Sequence, residues 1–139
     1  MSFLLDTNVI SEWMKARPNP GVVAWLADVD EDRTFLSVTT LTEIRYGIER
    51  MAASNRRQRL EDWLQDELPL RFEGRLLSIN PNIADTSGKF VARSEVAGRR
   101  MEVMDAFIAA TAETHRLTLV TRNVSHFQPV LRYVLNPWT

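Results

Sequence analysis

Five short apolar runs rich in branched or aromatic residues, at 2–5, 34–38, 76–79, 117–121 and 132–135, punctuate the chain, and stretches of helical apolar spacing separate them. Such alternation constrains the fold more than any single residue does. Parallel strands cannot be joined by a tight turn; they need a crossover, which a helix supplies. The expectation is an α/β chain with a parallel sheet and helices on both faces. Ligands in sheets of this kind bind outside the carboxyl ends of the strands. Asp6 follows the first apolar run directly.

The helical stretches carry their own signals. Val9, Ile10, Trp13 and Met14 form one apolar stripe, and Asn19-Pro20 reads as an N-cap with proline at the first helical position, leading into 22–27. Leu41, Ile44, Ile48 and Met51 make a second stripe, and Leu60, Trp63, Leu64 and Leu68 a third. The segment 105–115 is apolar on nearly every side, as in a helix packed over most of its circumference. Residues 52–59 read as a polar, basic joint between two helices, and no repeat or linker divides the chain. A length of 139 residues suits one domain spanning 1–139.

Composition removes several chemistries. The absence of cysteine excludes a disulfide framework, a thiolate metal site and a thiol nucleophile. The opening Ser2-Phe3-Leu4-Leu5-Asp6 lacks the basic lead and long apolar stretch of a signal peptide or membrane span, so a cytoplasmic location is expected. With a net charge of −1, no global positive field attracts nucleic acid, and any such partner must be held locally. Only Lys15 and Lys89 interrupt an otherwise all-arginine basic set, and the planar guanidinium suits phosphate.

Three carboxylates stand out. Asp6, followed by Thr7 and Asn8, places oxygen-bearing side chains at a strand end, although capping of the next helix explains it equally well. Glu43 falls three residues after Thr40, the capping-box spacing, yet lies off the apolar face and is free to point from the first helical turn into a cleft. Asp105 sits in the apolar run Val103-Met104-Asp105-Ala106-Phe107-Ile108 with no cation beside it. A carboxylate there has to cap, to pair, or to bind a metal, because burying an isolated charge costs several kcal/mol. A fourth patch, Thr121-Arg122-Asn123-Val124-Ser125-His126, follows the fourth run; its plain alternative is a polar loop. Carboxylate, hydroxyl and amide oxygens without thiols favour a hard ion, Mg²⁺ or Mn²⁺, over zinc. Of the two histidines, His115 ends an apolar helix and suits its C-terminus, so only His126 remains near the candidate site.

The stretches Leu4-Leu5-Asp6-Thr7-Asn8-Val9-Ile10-Ser11-Glu12, Thr42-Glu43-Ile44-Arg45-Tyr46-Gly47-Ile48, Met104-Asp105-Ala106-Phe107-Ile108-Ala109-Ala110-Thr111-Ala112 and Thr121-Arg122-Asn123 resemble, in order and spacing, the PIN-domain ribonucleases. The chain is most similar to the VapC toxins of bacterial toxin–antitoxin pairs, in the subgroup related to FitB, and the resemblance extends to Leu135-Asn136-Pro137-Trp138. It implies a three-layer sandwich around a five-stranded parallel sheet. It also implies a metal-dependent endoribonuclease, with Asp6 and Asp105 as principal ligands of Mg²⁺ or Mn²⁺ and Glu43 as a ligand through water or an orienter of the attacking water. Thr7 and Asn123 would support them. The family's fourth position, often aspartate, is Asn123 here, so a second ion loses a charged ligand.

Implied partners are an RNA substrate and a cognate antitoxin whose own DNA-binding part reaches operator DNA. A homodimer is also implied, with Trp13, Trp63 or Trp138 as candidate interface residues. Arg45, Arg50, Arg56, Arg57, Arg99, Arg100 and Arg122 are candidates for phosphate contact, against the plain alternative of solvated helix faces. Two rivals remain. An aspartyl phosphatase or receiver domain fits poorly, because Asn8 stands where the phosphatase needs a second aspartate and Arg122 where the receiver needs lysine. A PIN-like module that binds RNA or protein without turnover is the stronger alternative, and Asn123 is the residue that favours it.

Overall fold

A computed structural model describes residues 1–139. Five strands, β1 (Phe3–Leu5), β2 (Thr34–Ser37), β3 (Leu76–Leu77), β4 (Thr118–Val120) and β5 (Val134–Leu135), form one parallel sheet in the order β3-β2-β1-β4-β5. Each lies within an apolar run read as a strand. All are shorter than those runs, because their ends convert to caps. Ser37, for example, ends β2 and caps the following helix with its hydroxyl on the Thr39 N–H, so Val38 is already helical.

Side-chain alternation divides the core into two layers. Leu4 and Leu119 face one side, against α6 (Pro81–Val96), α7 (Val103–Thr114) and α8 (Val124–Phe127). Leu5 and Val120 face the other, against α1 (Thr7–Trp13), α2 (Pro20–Asp28), α3 (Val38–Glu49), α4 (Asn55–Asp62) and α5 (Leu68–Arg71). Chain order explains this division. Strands β1 to β3 step outward one way with helices on one face. The chain then returns past them through α6 and α7 to β4, which right-handed crossovers place on the opposite face.

Several local readings change. The polar joint at 52–59 is in part helix: Ser54 caps α4 through the Arg57 N–H, and Arg57 is pinned by Glu49 and Glu61, each at 3.0 Å, and by the Met51 carbonyl at 2.8 Å. That satisfied arrangement makes Arg57 a structural tie rather than a free phosphate contact. The stripe through Leu68 is one helical path with a widened π turn at Trp63–Glu67, where the Leu68 N–H reaches back to the Trp63 carbonyl. Pro69 has no N–H to donate and its ring crowds the preceding turn, so the ladder widens just before it. The longest helix, α6, carries the same start as α2: Asn80 accepts from the Ile83 N–H and Pro81 opens the helix. Trp13, Trp63 and Trp138 are half-buried against the α1–α5 core. No helix is long and apolar enough to cross a membrane.

Candidate active site at the strand-order reversal

The order β2-β1-β4 places β1 between strands whose connections leave in opposite directions, and a crevice opens there at the carboxyl ends. A cleft of about 320 Å³ occupies it, and Asp6, Glu43, Asp105, Thr7, Asn8 and Asn123 all line it. Three elements deliver the acids. Asp6 leaves β1, Glu43 stands on α3, and Asp105 lies in the first turn of α7.

Asp6 is 5% exposed and also caps α1: its Oδ1 accepts from the Thr7 N–H at 2.7 Å. Thr121 Oγ1 donates to Oδ2 at 2.7 Å, and Asn8 Nδ2 lies 3.4 Å from the same oxygen. Thr121 is itself fixed, accepting from the Asn123 N–H at 3.0 Å and from Asn8 Nδ2 at 3.2 Å. An ionised carboxylate has about four acceptor sites, so these three donors orient the group without saturating it. Burial pushes the Asp6 carboxyl up from 3.8 to about 6, opposed by the Thr121 and Thr7 hydrogen bonds and aided by the charges of Asp105 and Glu43.

Thr7 Oγ1 donates to Glu43 Oε1 at 2.6 Å and lies 3.0 Å from Thr40 Oγ1, tying α1 to α3. The expected capping box at Thr40 and Glu43 does not form. Ser37 is the cap, which moves Glu43 into the second turn, where its carboxyl reaches the cleft. Desolvation raises its pKa, the Thr7 hydrogen bond opposes this, and Asp105 adds repulsion. Asp105 is also raised by desolvation; His126 opposes that shift and Glu102 reinforces it. His126 Nδ1 lies 3.8 Å from Asp105 Oδ2, an ion-pair distance too long for a hydrogen bond. Glu102 caps α7 in position but makes no side-chain hydrogen bond.

Three carboxylates, each raised above its ordinary pKa chiefly by desolvation, with repulsion from neighbouring acids adding to it at Asp6 and Glu43, form a site that a cation would relieve. The donor set is all hard oxygen, and no three acidic or histidine side chains close into a compact cage. An open site with few protein ligands suits Mg²⁺ or Mn²⁺, which keep several waters, better than an ion needing a full protein cage. The residues therefore fit a hard divalent ion.

Of the arginine candidates, only Arg122 lines this cleft. Arg45 pairs with Glu49 at 3.6 Å and Arg100 with Glu95 at 3.0 Å; Arg99 is exposed outside the cleft, and Arg50 lies over the Tyr46 ring. Arg56 lines a neighbouring apolar groove that reaches Glu43. Glu12 and Lys15, not among the candidates, also line the cleft, as does Trp138, named above only as an interface candidate. The first two had a signal: Asn8, Ser11, Glu12 and Lys15 make a polar stripe opposite Val9, Ile10 and Trp13 on α1. Trp138 had none for this cleft, because most of the other lining residues lie more than a hundred positions earlier in the chain.

Fold and cleft together define a doubly wound α/β domain whose clustered carboxylates stand at the strand-order reversal. The chain belongs to the PIN-domain family, whose model matches residues 3–128. It is 34% identical to the toxin FitB of Neisseria gonorrhoeae and 33% identical to the VapC ribonuclease Y4jK of Sinorhizobium fredii, over 97% of this chain and 96–97% of each relative. Among solved structures it resembles FitAB bound to an IR36 DNA fragment, with a TM-score of 0.91 and 32% identity over 99% of this chain and 96% of the other.

Proposed function

We propose that the chain is a metal-dependent endoribonuclease and the toxin of a VapBC-type toxin–antitoxin pair. The observation that carries this reading is the convergence of Asp6, Glu43 and Asp105, from three separate elements, on one polar cleft. Similarity to a protein named as a VapC ribonuclease supports the substrate class.

Asp6 and Asp105 would hold Mg²⁺ or Mn²⁺, which when bound supplies positive charge to a phosphodiester and lowers the pKa of an attacking water. Thr7, Thr121 and Asn8 fix the Asp6 oxygens so that little reorganisation precedes the reaction. Glu43, whose Oε1 accepts from Thr7, would orient a water and take its proton as the water attacks phosphorus; the P–O bond to the ribose breaks and the leaving oxygen takes a proton from solvent. Its raised pKa brings it closer to a working general base. Asn123 lines the cleft with an amide, which holds water or a phosphate oxygen without adding charge. His126 supports Asp105 from its other side.

Since the similar FitAB assembly is described bound to DNA, an antitoxin partner that carries the DNA contact fits this chain as well. The test is cleavage of a panel of structured RNAs by the purified protein in Mg²⁺, Mn²⁺ or EDTA. Cutting that requires the metal and declines about a hundredfold or more in Glu43→Gln supports the reading. Cutting that persists in EDTA, or full activity in Glu43→Gln, refutes it.

A further inference from the structure

The acids occupy only part of the cleft lining, and the remaining wall is of a different character. Lys15 and Arg122 are the cations along the lining, and Trp138 is its one hydrophobic residue. A buried carboxylate organises them. Glu12 is 6% exposed; its Oε1 receives Lys15 Nζ at 2.9 Å and its Oε2 receives the Asn19 N–H at 2.9 Å. Residues 136–139 hold the tryptophan from behind: the Trp138 N–H donates to Asn136 Oδ1 at 2.9 Å, and the Thr139 N–H to Asn19 Oδ1 at 3.2 Å.

The Arg122 guanidinium carbon lies 5.8 Å from the centre of the Trp138 ring. Its backbone N–H approaches Asn8 Oδ1 at 3.4 Å, so it hangs from the same side chains that orient Asp6. Carboxylates occupy Arg45, Arg57, Arg71 and Arg100, but none pairs with Arg122. Lys15 is half-exposed and spends one of its three donors on Glu12, leaving two for the cleft. An aromatic ring and two cations in one cleft lining are the elements that grip single-stranded nucleic acid, by base stacking and phosphate contact. An apolar peptide would find one ring to cover on an otherwise polar wall.

We infer that Lys15, Trp138 and Arg122 form the subsite for the RNA nucleotide beside the scissile phosphate, with Trp138 against the base, Lys15 and Arg122 on the flanking phosphates, and Glu12 as the positioning residue. This rests on the nuclease reading of the acids, and the test separates the two. Affinity for a labelled mixed-sequence single-stranded oligoribonucleotide is measured in Mg²⁺ across a salt series, using Asp6→Asn protein so that binding is read without cleavage. Adding Lys15→Gln or Arg122→Gln should weaken binding and flatten the plot of log affinity against log salt by about 0.7. Lys15→Arg should restore the slope. Adding Trp138→Leu should weaken binding about tenfold at unchanged slope, and Trp138→Phe should recover most of that loss.

Unchanged affinity and slope in folded Lys15→Gln and Trp138→Leu proteins overturn the assignment and leave this wall to a protein partner. Equal losses in Trp138→Leu and Trp138→Phe also overturn it, since stacking then plays no part. A failure of the nuclease reading appears elsewhere, as absent metal-dependent cleavage by the unaltered protein.

Discussion

At Asp6 the helix cap is observed and the proposed ion-binding role falls on the same side chain, so the two readings of this residue that the sequence left open are compatible. The cap explains why the acid tolerates burial, and burial explains its raised pKa. The sign of the consequence follows from linkage. A carboxyl with a pKa near 6 when folded and 3.8 when unfolded binds its proton more tightly in the folded state, so its contribution to stability is present at low pH and is lost as pH rises from about 4 through about 6. Glu12, held below its ordinary value first by Lys15, acts with the opposite sign, so the Asp6 contribution has to be isolated by substitution. In metal-free protein, Asp6→Asn should have nearly no effect on urea stability at pH 4 and should stabilise by about 1–3 kcal/mol at pH 7.5. A destabilising effect at pH 7.5 would mean that the hydrogen bonds outweigh the burial. Asp6 and Asp105 were legible because an acid against apolar neighbours is locally anomalous. Glu12 was legible only as part of a polar stripe; its bond to the Asn19 N–H, from beyond its own helix, was not.

Elements show where local patterns suffice and where they fail. The Asn19-Pro20 start of α2 formed as its chemistry dictates, with Asn19 Oδ1 accepting from the Gly21 N–H at 3.0 Å. The Thr40–Glu43 pair satisfied a capping pattern that Ser37 had already pre-empted three residues earlier, and spacing alone cannot rank two competing caps. The widened turn before Pro69 was invisible because its apolar stripe still reads as an ordinary helix. Packing of residues 137–139 onto α2 was equally hidden. A Cβ at Gly21 would stand 2.4 Å from the Pro137 carbonyl and 2.6 Å from Thr139 Cγ2, so Gly21→Ala must displace that segment. The expected result is a loss of about 1–2 kcal/mol by thermal or urea unfolding, with greater acrylamide quenching of tryptophan as Trp138 loosens. Unaltered stability and quenching would show that the segment is not held there.

For the whole molecule, the strand order does what no single motif does. Alternation of runs and helices predicted a parallel sheet, and the order β3-β2-β1-β4-β5 converts three acids about forty to sixty residues apart into neighbours of one cleft. Order itself is a long-range property, set by which face each crossover can cover, and it was not legible in the sequence, where the resemblance implied only a five-stranded parallel sheet. Leu119 is fully buried between β1 and β5 and far from solvent. Leu119→Ala should cost about 2–5 kcal/mol in urea unfolding while the folded fraction keeps its ligand binding, since the core sets stability and the strand ends set chemistry.

The account stands on the joint action of the acids, and the most direct test is RNA cleavage in Mn²⁺ by the unaltered protein, Asp6→Asn and Asp105→Asn side by side, each checked for folding by circular dichroism. The prediction is metal-dependent cleavage by the first and none by the two folded variants. Equal cleavage by all three would contradict the account, because the cut would then come from somewhere other than this cleft.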